Sequence, residues 1–171
     1  MGQFVFWAPA KDKPAIKAKS ASTQNRLAQE VRHQLVMLPY YDIFDNLEFR
    51  IDGIDTVVLA GQARRPVPKT EAEKAIRNLE GVGKVVNEIE VLPVSTHDEE
   101  VSMAAYRTIF SQLGLDRYLL RAVPPIHIVV KDGNLTLVGV VSTQADKDQA
   151  EVAARSVSSA FSVTNNLRVE S

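Results

Sequence analysis

The sequence predicts an α+β protein of two similar modules, each ordered helix, strand, strand, helix, strand, with a small mixed three-stranded sheet packed against two helices. Three observations predict it. The chain matches itself at a shift of 78 residues. Each copy holds an Asp-Gly turn between two apolar runs, and each then passes from a period of two to a helical period and back. At that shift Leu59–Val91 meets Leu137–Val169 without a gap, and ten of the thirty-three pairs are identical, where ordinary residue usage gives about two. The identities include Gly61 with Gly139, Ala72 with Ala150, Ala75 with Ala153, Arg77 with Arg155, Val85 with Val163 and Asn87 with Asn165. Upstream, Asp52-Gly53 corresponds to Asp132-Gly133 at a spacing of 80, so the first copy carries two additional residues between its glycines.

In the first copy Leu27, Val31, Leu35 and Leu38 fall on one helical stripe that Pro39 ends. Leu47, Phe49 and Ile51 then alternate with Glu48 and Arg50, the period of a half-buried strand. Asp52-Gly53 turns the chain and Thr56–Ala60 runs back beside it. The stretch from Lys69 to Gly83 places Ala72, Ala75, Ile76 and Leu79 on one helical face, with Thr70 and Glu73 as a capping box and Gly81 as the stop. Val85, Asn87, Ile89 and Val91 complete a third strand.

The second copy repeats the order. Thr96 and Glu99 open a helix with Val101, Ala104, Ala105, Thr108 and Ile109 on one face. Ile126, Ile128 and Val130 form a strand, Leu135–Val138 its hairpin partner, Ala150, Ala153, Ala154 and Val157 a helix stripe, and Val163, Asn165, Leu167 and Val169 the last strand. Residues 1–22 read as a flexible tail, 23–92 as the first domain and 97–171 as the second, with 92–97 a short hinge. A module of about 70 residues buries little surface by itself. The two are therefore expected to pack together, or to borrow apolar cover from the segments that precede them.

Composition narrows the function classes. A hydrophobic content of 45% with 24% charged residues is that of a globular protein. The net charge of −1 supplies no basic field for nucleic acid. The absence of cysteine rules out disulfides, thiolate metal sites and cysteine nucleophiles. No run approaches the about 20 apolar residues of a membrane span. The opening MGQFVFWAPA resembles the tail of an export signal without its basic head, and reads equally as an apolar tail.

The pattern of a DG turn, a strand ending in L-x-G, an alanine-spaced helix and a terminal V-x-N-x-L/I strand resembles the BON domain, a bacterial cell-envelope module. In this sequence it is carried by Gly53, Gly61, Ala72, Ala75, Val85, Asn87 and Ile89, and again by Gly133, Gly139, Ala150, Ala153, Val163, Asn165 and Leu167. The first copy departs from the pattern in its lengthened hairpin and in Arg64–Lys69, RRPVPK. The resemblance implies a non-catalytic protein without cofactor, placed in the periplasm or envelope, although the incomplete signal leaves the cytoplasm open. It implies phospholipid binding or a role in envelope integrity or stress tolerance, with anionic phospholipid or a membrane surface as partner. Envelope proteins or self-association form the alternative. The lipid contact it implies lies between Val101 and Arg121.

There the sequence LGLDRYLLRAVPP sets Arg117, Tyr118, Leu119 and Arg121 side by side, an apolar and cationic mixture suited to an anionic bilayer surface. The same segment also reads as core leucines beneath a solvated arginine rim. Other constellations are weaker. His33, His97 and His127 lack metal-ligand spacing. Asp42 and Asp45 read as turn residues. Asn87 and Asn165, in phase with apolar faces, read as buried amides bonded to a neighbouring loop. Arg64, Arg65 and Lys69 form a small basic patch on a loop.

Overall fold

The computed structural model describes residues 14–171, with side chains from residue 21 onward. The opening MGQFVFWAPA lies outside the described residues. Among those described, the chain forms two compact units, one of residues 14–41 and 47–91, the other of residues 42–46 and 92–171.

The N-terminal unit contains α1 (Pro14–Val36), β1 (Asn46–Asp52), β2 (Thr56–Ala63), α2 (Pro66–Arg77), β3 (Lys84–Asn87) and β4 (Glu90–Val91). Helix α1 runs back through Lys17–Ser22, a stretch whose composition suggested a flexible lead-in; Ala and Lys are good helix formers. Its predicted stripe is buried, with Leu27, Val31 and Leu35 at most 4% exposed. Leu47, Phe49 and Ile51 of β1 are buried as the alternation requires. Strand β2 lies between β1 and β3, pairs in parallel with β3 from Thr56 opposite Lys84, and pairs with β4 from Gln62 opposite Glu90. The third strand is thus interrupted at Glu88-Ile89, where the sequence suggested one unbroken run.

Helix α2 corrects a second expectation. It starts at Pro66, so Thr70 sits inside it with its hydroxyl donating to Pro66 O at 3.3 Å, and no capping box forms. Proline at the first helical position supplies a preset φ and lacks an N–H that would need a partner.

The C-terminal unit contains α3 (Thr96–Phe110), a 3-10 turn (Asp116–Leu120), β5 (Ile126–Lys131), β6 (Asn134–Val141), α4 (Gln144–Arg155) and β7 (Ser162–Val169). Strand β6 pairs antiparallel with β5 and parallel with β7, which is the mixed sheet expected. Asn134 opposes Ser162, the same offset of 28 residues that sets Thr56 opposite Lys84. Ile126, Ile128 and Val130 of β5, Leu135 and Leu137 of β6, and Ala150, Ala153 and Ala154 of α4 join Val101, Ala105 and Ile109 of α3 in one core. The alanine stripe is thus the face that α4 turns to this core.

Helix α3 is capped by Ser95, whose hydroxyl accepts from Asp98 N at 3.2 Å, one residue before the Thr96 cap that the sequence suggested. The segment 42–46 precedes β1 in the chain yet belongs to this unit. Ile43 lies in its core and accepts through its carbonyl from Ile128 N at 2.8 Å. The borrowed apolar cover expected for so small a module is therefore supplied, for this unit, by a strap from upstream.

Candidate functional site

The segment 111–121 joins α3 to the strand region of the C-terminal unit. Its path is fixed by groups that point inward. Gly114 adopts φ +91, a conformation that favours glycine, and Leu115 is fully buried behind it. Tyr118 is 3% exposed; its hydroxyl donates to Asp146 Oδ2 at 2.8 Å and accepts from Ser142 N at 2.8 Å. Arg117 reaches the same carboxylate oxygen at 2.6 Å, donates to Gly114 O, and lies with its guanidinium carbon 4.7 Å from the Tyr118 ring centroid.

Asp146 is the hub of this arrangement. Its backbone N–H donates to the Thr143 cap of α4 at 3.1 Å, which aims the carboxylate at the 3-10 turn. Burial works to raise its pKa, but hydrogen bonds with Tyr118 and Thr143 and the Arg117 charge outweigh it and hold the carboxyl below its ordinary value. It stays ionised, and the turn stays docked.

Of the four residues singled out for a surface role, the structure puts Tyr118 in the core, ties Arg117 to Asp146, half-buries Leu119 against the core and leaves Arg121 exposed. Two side chains stand out from the same segment: Leu113 at 93% and Leu120 at 87% exposure. Leu113 carries no signal of its own in the sequence, because leucine spacing does not separate a core leucine from an exposed one. Within this one segment Leu115 is core, whereas Leu113 and Leu120 face solvent.

The repeated residues have structural duties. Asn87 Nδ2 donates to Lys69 O at 3.0 Å and to Glu73 Oε2 at 3.1 Å, while its Oδ1 accepts from Ile89 N at 3.2 Å. Asn165 makes the corresponding set, to Lys147 O at 3.1 Å, Glu151 Oε2 at 3.2 Å and from Leu167 N at 3.1 Å. The partner is the neighbouring helix, not the loop that the sequence suggested. Arg77 and Arg155 close each brace by pairing with Glu73 and Glu151. At Glu151 the hydrogen bonds from Arg155 and then Asn165 hold the pKa below its usual value. Gly61 and Gly139 both have positive φ, +100 and +139, which accounts for a glycine at each place.

The hairpin turns differ more than their shared Asp-Gly suggests. Asp132 and Gly133, at φ +52 and +76, form a two-residue turn, and the Asp98 carboxylate accepts from both backbone N–H groups at 3.0 and 2.7 Å. In the N-terminal unit Asp52 ends β1 and the connection is residues 53–55. There the side chain of Gln24 in α1 donates to Gly53 O at 2.6 Å. Asp98 escaped sequence analysis, because its partners are 34 and 35 residues away.

His127 is buried beneath the strap. Burial pushes its pKa down to about 4, against the opposing effect of hydrogen bonds to the backbone of Asp42 and Asp45 and the Asp42 charge. Asp42 and Asp45 themselves make turn bonds, Asp42 Oδ1 accepting from Phe44 N at 2.7 Å and Asp45 Oδ2 from Asp42 N at 3.2 Å. His97 stacks on Phe161 with ring centroids 5.0 Å apart. Among the described residues no group of carboxylates and histidines is arranged to hold a metal ion, and no helix is long and apolar enough to cross a membrane.

Two stretches, residues 23–93 and 107–171, match the family model of the BON domain. The chain belongs to the BON-domain family. The two matched stretches fall on the two repeats, so the protein carries BON modules in tandem. The BON family is non-catalytic and its members are envelope-associated. Among solved structures, a C-terminal domain of CdsD, a structural protein of the type III secretion system of Chlamydia trachomatis, is similar at 13% identity, covering 85% of this chain and 98% of that one with a TM-score of 0.30. A second structure of CdsD from the same organism matches at 11% identity over 85% and 92%, with a TM-score of 0.32. No curated protein matches the chain.

Proposed function

We propose that this tandem BON protein acts without catalysis in the bacterial envelope, where its second module binds the surface of an anionic phospholipid membrane and supports envelope integrity. The observation that carries this reading is the pair Leu113 and Leu120, which stand almost fully in solvent on one short segment beside the exposed Arg121. Burying a leucine removes about 1.5–3 kcal/mol of unfavourable exposure, and a cation near an anionic leaflet adds about 1 kcal/mol. Two leucines and an arginine on a segment braced by Asp146 match the composition of an interfacial contact, shallow insertion with headgroup pairing. The bracing removes the ordering cost that a mobile loop would bear on binding.

Flotation with phosphatidylglycerol vesicles tests the reading. The wild type is expected to float, and Leu113→Asp with Leu120→Asp is expected to lower the bound fraction at least about tenfold. Arg121→Glu is expected to act on anionic vesicles and leave any binding to neutral vesicles unchanged. Arg117 is unsuitable for this purpose, because its reversal would also disrupt the Asp146 hub. Equal recovery of wild type and leucine variant with the vesicles, or no flotation of the wild type, would overturn the proposal.

A further inference from the structure

A sheet edge offers unpaired backbone groups to any passing strand, and folded proteins usually block it with charges, interruptions or a covering segment. Three outer edges of the two sheets carry such devices. Strand β1 bears Glu48, Arg50 and Asp52, with Arg50 3.9 Å from Asp52 and 3.7 Å from Glu88. The β3–β4 edge is broken at Glu88-Ile89 and carries Lys84, Glu88 and Glu90. Strand β5 has the strap, through Ile43 and Ile128. Strand β7 differs: eight unbroken residues, SVTNNLRV, pair with β6 alone among the described strands and hold one charge, Arg168, and Leu167 N is an edge amide turned inward to its own chain, donating to Asn165 Oδ1 at 3.1 Å.

The sequence of β7 is complementary to itself. Reversed about Asn165, Val163 faces Leu167, Thr164 faces Asn166, Ser162 faces Arg168 and Asn165 faces its own copy. Apolar meets apolar and polar meets polar, with no like charges opposed. The same register sets Phe161 opposite Val169. These two apolar side chains flank the strand at 75% and 37% exposure, and both would gain cover. A twofold axis through Asn165 thus satisfies the requirement of an isologous interface, in which one patch meets itself.

We propose that the protein self-associates through antiparallel pairing of β7 with β7 of a second copy, which joins the two C-terminal sheets into one six-stranded sheet. This surface is distinct from the segment 113–121 and stands independently of membrane binding.

The test is sedimentation equilibrium of the full chain without lipid. The wild type is expected to show a concentration-dependent monomer–dimer equilibrium. Thr164 and Asn166 are exposed, so paired substitutions there place charge on the new contact and leave the module's core untouched. Both Thr164→Lys with Asn166→Lys and Thr164→Glu with Asn166→Glu are expected to weaken association about tenfold or more, and an equimolar mixture of the two variants is expected to restore it. Hydrogen exchange of the unmodified chain provides a check without variants, since β7 amides should exchange more slowly as concentration rises. A wild type that is monomeric throughout, a dimer indifferent to both variants, or a mixture no tighter than its components would overturn the proposal.

Discussion

The two modules keep the same brace and differ in what surrounds it. In both, a strand asparagine ties the last strand to the preceding helix through a carbonyl, a glutamate and a backbone N–H two residues on. At the hairpin the same space is filled in opposite ways. Gly83 N donates to Asp55 O at 2.9 Å, and Phe161 N donates to Gly133 O at 2.8 Å at the corresponding place. A Cβ on Gly83 would come within 2.0 Å of the Asp55 carboxylate, while a Cβ on Gly133 would come within 2.3 Å of the Phe161 ring. Each module places its glycine on the other side of one contact. The repeated residues therefore maintain architecture, and function is to be sought where the copies diverge, at Asp146 in place of Pro68, at the turn 113–121 and at the continuous β7.

The largest expected effect separates the modules by pH. His127 is held neutral by burial, with a folded pKa of about 4 against an ordinary 6.5, so in that window the unfolded chain binds the extra proton. Stability is full above pH 6.5 and falls as pH drops through the window, by about 3 kcal/mol once below pH 4. Urea midpoints at pH 7 and pH 4 should show this loss, and His127→Leu should remove most of its share of the pH dependence. An unchanged slope in the variant would contradict the assignment. Asp146, whose pKa is lowered, adds a loss of the same sign at still lower pH, below the ordinary aspartate range.

A smaller effect tests what is shared. Asn87→Ala and Asn165→Ala each remove three hydrogen bonds at a half-buried position, and each is expected to cost about 2 kcal/mol. Thermal unfolding should give similar losses for the two, and a difference greater than about twofold would mean that the braces are not equivalent.

The smallest effect sharpens the reciprocal glycines. Gly83→Ala is expected to cost about 1 kcal/mol, and the cost should largely disappear in an Asp55→Gly background, because it arises from one side chain. Gly133→Ala is expected to cost about 1–2 kcal/mol even with Phe161→Ala, because φ +76 strains any L side chain. A double-mutant cycle in each module measures the two couplings. Equal couplings would show that the glycines serve one purpose and not two.

Much of the fold was legible from local pattern. The stripe of Leu27, Val31 and Leu35, the alternation of Leu47, Phe49 and Ile51, and the alanines of α4 are periodic signals within a few residues, and each became a buried face. The break at Glu88-Ile89 and the helix start at Pro66 were less legible, since periodicity is blind to a local change in pairing and capping depends on one dihedral angle. The shared Asp-Gly was misleading at atomic detail. It forms the turn itself at Asp132-Gly133 but lies half in β1 at Asp52-Gly53, and Asp55 takes the place of Gly133.

The sequence by itself determined the tandem repeat, the α+β class, the order of elements and the residues that the modules share. Those features follow from short-range periodicity and from self-similarity, both written along the chain. Only the tertiary structure decided which leucines of 113–121 face water, that Asp98 and Asp146 hold a hairpin and a turn, that residues 42–46 cover His127, and that β7 lies at the edge of its sheet among the described strands. Each of these depends on groups separated by tens of residues, whose meeting is set by packing, and no local pattern encodes a neighbour that only folding supplies.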